Sequence, residues 1–185
     1  MEQLHIVDAC REQHFRDMSL LHALGWRAAY RDSIPAGYMT REITDDRWTA
    51  VFAKNYEEGI YHGLLLYNGD QPLSCATYGP ARVEQSAGDT ICNFSSPDLA
   101  AWGELVSLYS HPDHWGQGYS SAVMEEVLHR MIVSGYPGCF LYVLLENYHA
   151  RQFYEKHGFS WDGHSMDVPL TQNIVLTDLR YCKEL

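Results

Sequence analysis

Between residues 12 and 31 the apolar positions Phe15, Met18, Leu21, Leu24 and Ala28 recur at spacings of three and four. That period predicts an amphipathic helix with one core-facing stripe, behind a short strand over 4–7 that stops at Asp8. Ser33-Ile34-Pro35-Ala36-Gly37 interrupts the pattern. A second helix is expected over 40–54, packing through Ile43, Trp48, Val51 and Phe52. The period then changes. An apolar run over 60–67 meets Asn68-Gly69-Asp70, a hairpin signal because both turn residues tolerate positive φ. A return strand over 72–83 follows, bent at Gly79-Pro80. Residues 84–99 are polar and turn-rich and read as a long loop, with a mobile lid as the functional alternative.

The next strand covers 104–110 and runs into the turn His111–Gly118, which opens a helix over 119–134. Val123, Val127, Leu128, Met131 and Ile132 supply its packing stripe, and Gly135-Tyr136-Pro137-Gly138 ends it. The continuous apolar run over 139–145 predicts a strand buried on both faces. A short helix over 148–156 stops at Gly158, and strands over 165–170 and 174–181 close the pattern. The order β, αα, ββ, then β-α-β, α, ββ, without repeat or linker, predicts one α/β domain over 1–185 built on a mixed sheet.

A chain of 185 residues buries enough surface to need no metal or disulfide staple. Its five cysteines form no Cys-x-x-Cys pair, which argues for reduced thiols in a cytoplasmic protein. Thirteen Lys and Arg against 24 Asp and Glu give a formal charge of −11. Such a chain repels a phosphate backbone, so a nucleic-acid partner is not expected, and cationic partners such as amines are mildly favoured. No apolar run reaches the ~18 residues of a membrane span. The first residues, Met1-Glu2-Gln3-Leu4, lack the basic-then-apolar pattern of a signal peptide. His111 and His114 flank Asp113, but two ligands without a third make no metal site, and none is expected.

The chemistry concentrates in Leu105–Ala122. A strand enters a turn with Gly116 and Gly118 and leaves into a helix. A helix start offers orphan N–H groups and partial positive charge, and glycines let a phosphate approach the backbone. The bland alternative is a simple glycine turn. A P-loop would need a Gly-Lys-Ser/Thr run, absent here, and a dinucleotide fingerprint would need glycine where Ser121 stands.

Trp115-Gly116-Gln117-Gly118-Tyr119-Ser120 resembles the Arg/Gln-x-x-Gly-x-Gly/Ala signature of the GNAT superfamily of acyl-CoA-dependent N-acyltransferases. Trp115 replaces the usual Arg or Gln, and Ser120 the usual small residue. One helix and one strand later, Asn147–Phe159 is similar to the family's Asn-x-x-Ala-x-x-Phe-Tyr-Glu-Lys-x-Gly-Phe segment. The resemblance implies a mixed, mostly antiparallel sheet of six to seven strands flanked by helices, with a central parallel pair that splays apart. It implies acetyl-CoA as co-substrate. Backbone of Trp115, Gly116, Gln117, Gly118, Tyr119, Ser120 and Ser121 would hold the pyrophosphate. Backbone of Leu108, Tyr109 and Ser110 would line the pantetheine and thioester, Asn147 would touch the pantetheine, and Tyr154 would face the sulfur.

The implied reaction is acetyl transfer to a primary amine, with a small amine preferred over a protein N-terminus or lysine, and a homodimer is the assembly left open. An ammonium must lose a proton before it attacks, and a nearby carboxylate can take it. Glu104, at the strand start, is the candidate, with Glu146 behind it; the position that carries the base in some relatives holds Tyr142. Tyr154, titrating near ~10 against ~8.5 for a thiol, would serve the leaving thiolate mainly as a hydrogen-bond donor. Trp26, Tyr30, Tyr38 and Trp48 read as helix core, with acceptor-pocket lining as the alternative. A non-catalytic acyl-CoA-binding or interaction module is the rival function.

Overall fold

A computed structural model describes residues 3–83 and 95–185; most of the 84–99 loop, and with it the lid alternative, lies outside the described residues. Among the described residues seven strands, β1 (Leu4–Asp8), β2 (His62–Asn68), β3 (Gln71–Pro80), β4 (Gly103–Ser110), β5 (Gly138–Leu144), β6 (Ser160–Thr171) and β7 (Ile174–Glu184), form one mixed sheet. Its strand order is β1-β2-β3-β4-β5-β7-β6. Among the described residues five α-helices accompany it: α1 (Glu12–Ala29), α2 (Ala36–Glu42), α3 (Thr49–Glu58), α4 (Tyr119–Val133) and α5 (Tyr148–Lys156). No described helix is long and apolar enough to cross a membrane.

The chain folds as two compact units, Met1–Gly79 with Val106–Arg130, and Pro80–Leu105 with Met131–Leu185. In the first, β1 pairs antiparallel with β2, Leu4 opposite Asn68 through Asp8 opposite Leu64. The Asn68-Gly69-Asp70 turn then joins β2 to β3, with Gly69 at φ 59°. Leu64, Leu65 and Leu66 are all buried, so β2 is covered on both faces. The α1 stripe buries Phe15, Met18, Leu21 and Trp26, and α4 buries Val123, Met124 and Val127.

In the second unit the parallel pairing of β4 with β5 is confined to Gly103 opposite Cys139 and Glu104 opposite Phe140. β5 pairs antiparallel with β7 over seven registered positions, Gly138 opposite Glu184 through Leu144 opposite Asp178. β6 completes the antiparallel group.

Two elements differ from the periodicity. The helix expected over 40–54 is two helices, separated by Ile43–Trp48. The break buries Ile43, whose carbonyl accepts from the Arg27 guanidinium at 2.7 Å, while Thr44 Oγ1 donates to Asp46 at 2.8 Å and turns the chain. The strand expected over 165–170 starts five residues earlier, because a register shift between Trp161 and Ser165 carries the ladder through Gly163 at φ 93°. Exposed polar residues on both sides of that irregularity gave no alternation to read.

Candidate active site

In the first unit the end of β4 is held from both sides of the strand. Ser74 Oγ, on β3, donates to the Tyr109 carbonyl at 3.1 Å and lies 3.2 Å from Ser110 Oγ. Ser110 Oγ also bonds Ser120 Oγ at the start of α4, and Trp115 Nε1 donates to the Ser110 carbonyl at 3.2 Å. On α1, His22 Nδ1 lies 2.9 Å from the Met18 carbonyl, and its Nε2 lies 3.0 Å from Ser107 Oγ. A carbonyl only accepts, so Nδ1 carries the proton and Nε2 accepts from Ser107. Burial drives the His22 pKa down to about 4, against a smaller upward effect of the Met18 bond. The ring is therefore neutral near pH 7 and acts as a fixed strut, its centroid 4.3 Å from that of the Tyr109 ring, with the two planes tilted by 50°. A Cβ on Gly25 would collide with Tyr109, which explains the glycine in mid-helix.

The turn after β4 leaves its backbone uncovered. Gly116 and Gly118 have φ of 79° and 87°, and a Cβ at either would stand in open space. Strain, not crowding, therefore selects glycine here, and the space over the backbone is clear. The first α4 bond runs from the Ala122 N–H to the Gly118 carbonyl, so the Tyr119, Ser120 and Ser121 amides are the orphan donors of the helix start. An open cleft of about 640 Å³, lined by Leu4, Ile6, Leu66, Gly118 and Tyr119 among others, lies along them. Trp26 and Trp48, 5.8 Å apart, are buried core residues.

In the second unit Asn147 caps α5, its Oδ1 accepting from the Ala150 N–H at 3.1 Å. Tyr154, on the same helix, is buried, its ring 5.4 Å from Phe153 and 6.1 Å from Phe159.

Glu104 is buried and fully engaged. Its Oε2 accepts from the Arg82 main-chain N–H at 3.0 Å, and Arg82 Nε and Nη2 reach its Oε1. Protonation would set a carboxyl O–H against those N–H donors, so this carboxylate is built as an ion-pair partner. Arg82, two residues past the end of β3, carried no motif signal. Nor did Arg180 on β7, which donates to Asp98 at 2.7 Å and to Asp162 at 2.7 Å. Asp178, two residues before Arg180, has its pKa raised to about 7 by burial first and by Glu146 second, against a lowering by Arg82. Among the described residues no group of three or more His, Cys, Asp and Glu is placed to hold a metal.

The sequence profile of the Acetyltransferase (GNAT) family matches residues 23–159, three quarters of the chain, and the chain belongs to that family. It is 23% identical over 149 residues to the uncharacterized N-acetyltransferase YuaI of Bacillus subtilis strain 168, covering 76% of this chain and 72% of that one. The fold is shared with the PaiA N-acetyltransferase of Thermoplasma acidophilum, solved in complex with coenzyme A, at a TM-score of 0.68 and 14% identity over 98% of this chain and 99% of that one. It is also shared with YncA of Salmonella typhimurium, solved with acetyl-CoA, at a TM-score of 0.65 and 15% identity over 98% and 94%.

Proposed function

We propose that this protein is an acetyl-CoA-dependent N-acetyltransferase acting on a primary amine, with a small amine preferred as acceptor. One observation carries the reading: two positive-φ glycines open α4 onto clear space, with the orphan amides of a 15-residue helix behind them. PaiA and YncA were solved with coenzyme A and acetyl-CoA on the same fold, which supports the coenzyme assignment. In this reading the amides of Gly116 to Ser121 hold the pyrophosphate, the backbone of Leu108, Tyr109 and Ser110 lines the pantetheine and thioester, and Asn147 donates to the pantetheine. Tyr154 donates to the leaving sulfur. A main-chain N–H near Leu108 stabilises the oxyanion, a contact worth ~3–4 kcal/mol in comparable sites. The formal charge of −11 supports a cationic acceptor.

One observation favours a non-catalytic acyl-CoA-binding module instead: Glu104, the carboxylate expected to take the proton, is spent on Arg82. Free-thiol release from acetyl-CoA across a panel of small amines and peptides decides between the two. Turnover with any amine supports the enzyme; coenzyme binding without turnover supports the module. A thermal-shift panel checks the coenzyme itself, since a ligand at 100 times its Kd adds ~2.7 kcal/mol. Stabilisation by ATP or NAD, and not by coenzyme A, overturns the coenzyme assignment.

A further inference from the structure

Within the first unit, β1 joins two concavities. Leu4, its first residue, lines the cleft along the glycine turn, whereas Asp8, its last, lines a cavity of about 250 Å³. Four steps of extended chain set the two residues ~13 Å apart. Phe15 and Met18 of α1 and Phe52 and Tyr56 of α3 form walls of the cavity. The rings of Phe15 and Tyr56 pack with centroids 5.8 Å apart, and Tyr56 is half exposed, so its wall reaches the surface. Thr77 of β3 lines the cavity too and stands in register with Gly63 of β2. Residues in register share a sheet face, and a Cβ on Gly63 would meet Ala9 at 2.8 Å and Met18 at 2.9 Å, so this is the face that α1 covers. Thr77 is 3% exposed, and its Oγ1 has no hydrogen-bond partner among the described residues. A buried hydroxyl without a partner is destabilising, and most in folded proteins find one. Of the described lining residues Asp8 alone is a carboxylate, and Arg130 matches its charge, which leaves no unpaired carboxylate to draw a cation.

We propose that this cavity binds a small neutral aromatic molecule carrying one hydroxyl on a short arm, its ring against Phe15, Met18, Phe52 and Tyr56 and its hydroxyl paired with Thr77. An apolar cavity of ~150 Å³ already holds a benzene ring, so the larger volume takes a ring with a short substituent. Aromatic rings pack favourably against other rings and against a thioether. A threonine hydroxyl both donates and accepts, so an alcohol satisfies it in either sense. Because Oγ1 has no partner to give up, a turn about χ1 that presents it to the ligand breaks no hydrogen bond. The site is separate from the coenzyme cleft and does not depend on turnover of acetyl-CoA.

The test titrates benzyl alcohol and ethylbenzene, which carries a methyl where benzyl alcohol has its hydroxyl, into the 185-residue chain with its six methionine methyl groups labelled for NMR. Each titration is run with and without saturating coenzyme A. Both probes shift the Met18 methyl signal, assigned with Met18→Leu, and coenzyme A leaves their affinities unchanged. Thr77→Val keeps the outline of the side chain, melts no lower than wild type because the lost hydroxyl was orphaned, and weakens benzyl alcohol by about 3–10-fold while ethylbenzene binds at least as tightly as before. Tyr56→Ala, at an exposed position of α3, removes one wall and weakens both probes by about 3–10-fold. A Met18 signal that neither probe moves overturns the inference. So do equal effects of Thr77→Val on the two probes, including none, and displacement of the probes by coenzyme A, which would place them in the coenzyme cleft.

Discussion

Nε2 of His22 lies 3.0 Å from Oγ of Ser107, and that bond fixes α1 to the part of β4 that leads into the glycine turn. The arrangement needs a neutral ring, because Nε2 must accept.

Acid should therefore loosen this unit. His22 titrates at about 4 in the folded chain against 6.5 when unfolded. Between those values the unfolded chain binds more protons, so the contribution is complete above pH 6.5 and lost as pH falls towards 4. For a buried ring the loss is about 3 kcal/mol. The slope of Tm against pH over 4–6.5 in wild type and His22→Gln measures it. Removing the ring removes this upward contribution, so the His22→Gln slope lies below the wild-type slope; an unchanged slope would show that His22 is not the group responsible.

Gly118→Val should abolish coenzyme A binding, because its side chain occupies the clear space over the turn. It also pays for a positive φ, about 1–2 kcal/mol. Gly59→Ala separates the two effects: Gly59 has φ 66° with nothing within 4 Å, at the C-terminus of α3. That variant should lose a comparable part of its stability in a thermal melt and bind coenzyme A with unchanged affinity by calorimetry. Normal binding by Gly118→Val would move the phosphate seat elsewhere.

Tyr154→Phe keeps the packing against Phe153 and Phe159 and removes only the hydroxyl. Coenzyme A affinity should stay close to wild type while kcat falls by about 10²-fold. Unchanged turnover would exclude the phenol from the reaction.

The legible part of this chain was local. Gly116 and Gly118 announce a strand-turn-helix by their own backbone needs, and Asn147 caps α5 within three residues of itself. The Asn68-Gly69-Asp70 turn and the α1 stripe are likewise short-range signals. What could not be read depends on long-range pairing. Arg82 meets Glu104 across 22 positions and Arg180 meets Asp98 across 82, and no spacing encodes either. The interruption of the second helix at Ile43 needs Arg27, 16 residues away, to cap a carbonyl. A candidate base chosen by its place on a strand, Glu104, could not reveal that a guanidinium waited for it.

Asp178 should tilt the pH profile the other way from His22. Its carboxyl titrates at about 7 when folded and at 3.8 ordinarily. Between those values the native state holds the extra proton, so stability falls as pH rises through the window and stays lower above it. Asp178→Asn cannot ionise and escapes that loss. It should melt higher than wild type at pH 8 and no differently near pH 4. His22 raises stability with pH over 4–6.5 while Asp178 lowers it over a similar range, so the wild-type curve is flattened by opposition. His22→Gln should then slope downward with rising pH and Asp178→Asn upward. Equal melting temperatures for wild type and Asp178→Asn at pH 4 and pH 8 would show that the carboxyl is ionised at neutral pH like any other.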